Sequence, residues 1–173
     1  MQTELQLKGT YKGRPEWNKS MQRQLAVKLA EIIHEWNKAM DIDDSLIEQC
    51  DDVLGYCSCD NAYELAKQIE RGIGITPDAQ LVESLDYLAW SQNDILTEHI
   101  QKWVKAEDIK PEFTEEDIVV AHTSFYGIKD GVIKKVNLDN ATYNIYMPEI
   151  CETSTTSFVI NYENTFPSTK TKI

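Results

Sequence analysis

Glycine and proline are scarce, twelve residues together in a chain of 173, and this excludes collagen-like, low-complexity and linker-rich organisation. Long apolar runs are absent: no stretch approaches the roughly 20 residues needed to cross a bilayer. Met1 to Thr10 lacks the basic start and apolar core of a secretory signal, so a cytoplasmic protein without membrane attachment is expected. Cations are few. Lys and Arg number 17 against 29 Asp and Glu, a formal charge of −12, which argues against direct binding to phosphate backbones because counterion release needs clustered cations.

Chemistry-bearing motifs are missing as well. There is no Gly-rich phosphate loop, no GxSxG, no HExxH, and only three histidines, so a non-enzymatic protein without a cofactor is expected. The four cysteines are Cys50, Cys57, Cys59 and Cys151. Their spacing does not make a zinc knuckle, and a chain of this length does not depend on disulfides, so reduced thiols and no metal are expected. Glu31 and His34 stand at i and i+3 as in di-iron bundles, but such a site needs the motif on two helices, which leaves His34 as a cap or surface group.

What is present is enough for a core: 42% of residues are hydrophobic. Met21, Leu25, Leu29, Ile32, Trp36 and Met40 recur at three and four residue steps and predict a helix over 19–40. A second is expected after Asp43 as N-cap, with Leu46, Ile47, Cys50, Val53 and Leu54 inside. A third begins at Asp60 or Asn61, with Gly72 expected as its C-cap. Thr76-Pro77-Asp78 predicts another start, Thr76 capping, followed by one long helix or two joined near residues 91–93.

After Pro111 the pattern changes to Val, Ile, Thr, Tyr and Phe in short alternating runs. Strands are expected over 117–122, 131–137, 142–147 and 157–162, with turns at 129–131 and 138–140. The expected class is therefore α+β, an N-terminal helical domain followed by a small antiparallel β barrel. The expected divisions are an extended segment over 1–16, an acidic helical domain over 17–110, a β domain over 111–167 and a polar tail over 168–173.

Charge is unevenly distributed. Residues 41–112 hold 17 acidic and 5 basic groups, and within them Asp41, Asp43, Asp44, Glu48, Asp51 and Asp52 fall in twelve positions without a Lys or Arg. A Ca²⁺ loop is excluded, because Leu46 stands where the sharp turn needs Gly and the window ends in Asp rather than a bidentate Glu. A solvated helical face is the plain reading. The functional reading is a field that imitates nucleic acid and steers a basic partner.

The β segment, Asp117–His122, Asp130–Val136, Ala141–Met147 and Val159–Asn164, resembles an SH3-like barrel of the Tudor or KOW type. The resemblance covers about 50 residues. It implies ligand binding through exposed aromatics, here Phe125, Tyr126, Tyr143 and Tyr162, although all four also fit a plain core. The helical segment Tyr63–Lys67 with Pro77–Glu83 and Asp86 is similar to small bacteriophage and prophage accessory proteins. This implies an anti-defence inhibitor, of anti-CRISPR or anti-restriction type, whose acidic face blocks a basic nucleic-acid-binding surface on a host defence or transcription protein. The rival expectation is a virion or connector component assembled through protein contacts, with a second copy of the chain as partner.

Overall fold

The computed structural model describes residues 13–56, 61–151, 153 and 155–169. The expected α+β class is what it shows: five helices precede a five-stranded antiparallel sheet. The chain divides into two compact units. One is Glu16–His99; the other takes the described residues from Ile100 onward together with 13–15.

The helical unit is built from α1 (Lys19–Trp36), α2 (Asp44–Tyr56), α3 (Ala62–Ile73), α4 (Ala79–Leu85) and the first part of α5 (Leu88–Ala106). Asn18 starts α1 by accepting from the amides of Ser20 and Met21. The helix ends at Trp36 rather than at Met40, because the Asn37 carbonyl accepts the Met40 amide in a turn and His34 Nδ1 donates to the Met40 carbonyl at 2.6 Å. Met40 still packs against the core, which is why it extends the apolar period.

Asn61 caps α3 with its side-chain oxygen. Its C-cap is Gly74 rather than Gly72: Gly74 takes φ of +78°, the left-handed region that glycine enters without steric cost. Gly72 lies inside the helix, where a Cβ would come within 2.8 Å of a Val53 methyl. At α4 the cap is Asp78 and not Thr76, its carboxylate accepting the Leu81 amide at 2.9 Å. The following pattern forms two helices, but they part at Asp86 and Tyr87; residues 91–93 lie within α5. The apolar stripes meet in one core, with Leu29, Ile33, Leu65, Ile69, Leu81, Leu85 and Leu88 fully buried.

The β unit has strands β1 (Ile118–Thr123), β2 (Gly127–Asn137), β3 (Thr142–Tyr146), β4 (Phe158–Asn161) and β5 (Thr165–Pro167), in the order β4-β3-β2-β1-β5. Consecutive strands pair as a meander and β5 returns beside β1, so the sheet curls toward a barrel and β1 approaches β4. The expected turn at 129–131 is strand: those residues pair with β1, and the hairpin turns at Ser124–Tyr126 instead. Lys134 is the extra residue of a bulge, which bends the long β2. Gly131 allows close approach there, since a Cβ would lie 2.8 Å from the Tyr146 carbonyl.

The expected turn at 138–140 is a 3-10 turn, and β5 was not foreseen, its three residues being too few for an alternating signal. Val119, Ala121, Ile133, Tyr143, Ile145 and Met147 form the second core. Arg14 is fastened to this unit. Its guanidinium pairs with Glu163 at 2.6 Å, donates to the carbonyls of Asn140 and Ala141, and lies over the Trp103 ring.

Candidate partner-binding site

Six acidic residues at the entrance and along α2 arise from a simple helical construction. At about 100° per residue, Asp44, Glu48, Asp51 and Asp52 occupy an arc of roughly 100°. The buried Leu46, Cys50 and Val53 occupy the opposite side. Core burial therefore dictates that the carboxylates face water. Asp41, Asp43, Asp44, Glu48 and Asp52 are exposed, and Asp51 is half-buried.

Two of the six have local structural duties. Asp43 is the N-cap, as expected, its Oδ1 accepting the Leu46 amide at 2.8 Å. Asp51 accepts from Gln22 Nε2 at 3.0 Å, tying α2 to α1. Among the described residues no Lys or Arg lies within salt-bridge distance of any of the six; the ion pairs of this unit join Lys28 to Glu31, Lys38 to Glu35 and Lys67 to Glu64. The four α2 carboxylates thus crowd one surface, a geometry that favours an incoming cation.

The four aromatic candidates separate sharply. Phe125 is 93% exposed and Tyr126 50% exposed, both at the β1–β2 hairpin. Tyr126 meets Phe158 edge to face at 5.6 Å. They line a cavity of about 270 Å³ together with His122, Val159, Asn161 and Asn164. Tyr143 and Tyr162 are corrected to core residues: they are buried, their ring centroids 4.3 Å apart. The Tyr143 hydroxyl accepts the Phe113 amide at 3.1 Å. Inward-facing positions on β3 and at the end of β4 leave neither ring available to a partner.

Cys57 and Cys59 lie outside the described residues. Burial pushes the Cys50 thiol up to about 12, which removes the thiolate needed for metal binding or nucleophilic attack at neutral pH. Among the described residues no group of three His, Cys, Asp or Glu side chains could hold a metal ion, and no helix is long and apolar enough to cross a membrane. The three histidines have separate settings: His34 donates to the Met40 carbonyl, His99 pairs with Gln24, and His122 is on β1.

Sequence reasoning missed the exposed aromatics of the helical unit, Tyr56, Tyr63, Tyr87 and Trp90. The signal for Tyr87 and Trp90 was their position off the Leu81, Leu85 and Leu88 stripe, which marks a large ring on an outer face. No known protein family, curated protein or solved structure matches the chain.

Proposed function

We propose that the protein is a non-enzymatic, phage-type binding inhibitor acting in the host cytoplasm, whose acidic helical face occupies the basic nucleic-acid-binding surface of a host defence or transcription protein. The observation that supports this reading best is the arc of exposed Asp44, Glu48 and Asp52 and half-buried Asp51 on α2, without a basic partner among the described residues. Its carboxylates repeat along one helix face and leave the core-forming side untouched. A surface of this kind steers a cationic partner and raises its association rate more than it adds to raw affinity.

The test is capture of nucleic-acid-binding proteins from a nuclease-treated bacterial lysate at about 0.05 and about 0.5 M salt, where screening shortens sharply. The native chain should recover such a protein at the lower salt and lose it at the higher. A triple variant, Asp44→Lys, Glu48→Lys and Asp52→Lys, moves the formal charge from −12 to −6 and should recover none. It spares the capping Asp43 and the Gln22-bonded Asp51. Equal recovery by the triple variant would sink the acidic-face reading.

A second reading, a structural component that assembles with copies of itself, is favoured by one observation. Phe125, Tyr126, Ile128 and Val159 are exposed apolar residues of the β unit. A defined multimer of the purified chain by light scattering, with no bacterial protein recovered, would support it over the inhibitor.

A further inference from the structure

A groove of the helical unit that no α2 residue lines lies between α1 and the α4–α5 junction and encloses about 470 Å³. Ile32 and Trp36 supply its apolar part, Tyr87 stands beside it, and Glu31 and Glu35 bring carboxylates to it. Tyr87 is 69% exposed; Trp90, three residues on, is 72% exposed. Exposed Trp and Tyr side chains are the residues most enriched among binding hot spots, because each offers a large, nearly rigid area.

The groove is also braced. Trp36 Nε1 donates to Asp78 Oδ1 at 2.9 Å, while the same carboxylate accepts the Leu81 amide and so caps α4. One side chain thereby fixes the indole of α1 against the start of α4. The Leu81 amide and the Trp36 indole hold the Asp78 carboxyl below its ordinary value, so the brace stays ionised at neutral pH. A ring held in place before binding loses little freedom when a partner arrives.

Charge decides the occupant. Lys28 pairs with Glu31 and Lys38 with Glu35, so the lining itself is balanced, and the acidic excess comes from around it: Asp78 stands against Trp36, and the unit holds seventeen acidic against six basic residues. That excess disfavours an acidic segment or a nucleic acid, whereas an apolar side chain flanked by cations gains both the Ile32 and Trp36 surface and the aromatic face of Tyr87.

We propose that this groove, with Ile32, Trp36 and Tyr87, anchors a basic amphipathic segment of the partner protein. The proposal rests on the reading of the helical unit as the docking site of a basic protein, and adds to it a division of labour: the α2 arc sets the rate of encounter, and the groove sets the lifetime of the complex.

The probe is a synthetic Lys/Leu amphipathic peptide of about 18 residues, long enough to form a marginal helix, with a Glu/Leu peptide as its control. Each is titrated into the full ¹⁵N-labelled chain, and the indole N–H signals of Trp17, Trp36, Trp90 and Trp103 are followed. With the Lys/Leu peptide the Trp36 signal should move and the Trp103 signal should stay. Ser84→Arg, which places a long cation in the groove, should weaken binding about thirtyfold, the scale of a single hot spot. Tyr87→Ala, at an exposed position that folding does not need, should weaken it in the same direction.

Changes confined to α2 amides with Trp36 unmoved would overturn the groove and leave the acidic face standing. Equal binding of the Glu/Leu peptide, or no binding of either, would overturn the groove as well. If Asp44→Lys, Glu48→Lys and Asp52→Lys together leave the association rate and the Trp36 shift unchanged, the groove stands and the steering face fails.

Discussion

The two units bury cores of the same kind under opposite surfaces. Residues 16–99 carry seventeen acidic and six basic groups; residues 1–15 and 100–173 together carry twelve and eleven. A charge of −12 held for solubility alone would have no reason to gather in one unit. The helical unit hides its apolar residues along helix stripes and turns carboxylates outward. The β unit is almost balanced in charge, yet exposes Phe125, Tyr126, Ile128 and Val159. The contrast is between a surface that attracts at a distance and one that can hold only at contact.

The sharpest break of that contrast lies within the β unit itself. Tyr143→Ala removes a fully buried ring that packs on Tyr162 and accepts the Phe113 amide, and should cost about 3–5 kcal/mol. Phe125→Ala, at an almost fully exposed ring, should stay within about 0.5 kcal/mol. Denaturant unfolding followed by tyrosine and tryptophan fluorescence checks both. Similar losses at the two positions would mean that Phe125 is core after all.

Glycines in the two units should respond with opposite signs. Gly131→Ala forces a methyl against the Ile145 side chain and the Tyr146 carbonyl and should destabilise by about 1–3 kcal/mol. Gly55→Ala adds a methyl on α2 that among the described residues meets nothing nearer than Gln22 Nε2 at 3.9 Å, and should stabilise by about 0.5 kcal/mol through helix propensity. Thermal melts of the two variants decide it; a loss at Gly55 would show that the acidic arc tolerates no added bulk.

Within the acidic arc, carboxylates of equal charge should separate by duty. Asp43→Ala removes the N-cap of α2 and should cost about 1 kcal/mol. Asp44→Ala, one residue on and without such a bond, should cost less than about 0.5 kcal/mol and act on partner association instead. Equal melting points would remove the capping role.

These differences also mark what could be read from the residues. The apolar period of α1 and the Asp43 cap were legible because local hydrogen bonding and one-sided burial act within a few positions. Helix ends shifted where two plausible signals compete, as Gly72 and Gly74 do, and only the backbone angle decides between them. The hairpin moved from Lys129–Gly131 to Ser124–Tyr126 because pairing of β1 with β2 outweighs the turn preference of Asp-Gly. Of the candidate site, the acidic arc follows from spacing alone. The burial of Tyr143 and Tyr162, and the Trp36–Asp78 brace 42 positions apart, depend on contacts between distant segments and leave no local trace.

The smallest effect expected is also the most local. The amide of Leu81, then the indole of Trp36, favour the ionised form of Asp78 and depress its pKa in the folded chain. A depressed carboxylate stabilises the fold above its unfolded-state pKa, and this contribution disappears as pH falls through the lower folded value. The Trp36 indole N–H signal should therefore titrate in acid below the ordinary Asp range, before global unfolding, and Asp78→Asn should abolish that titration while the β-unit Trp103 signal keeps its course. If Trp36 and Trp103 titrate together, the brace is not a local feature of the helical unit, and the groove beside it loses the rigidity on which the proposed docking rests.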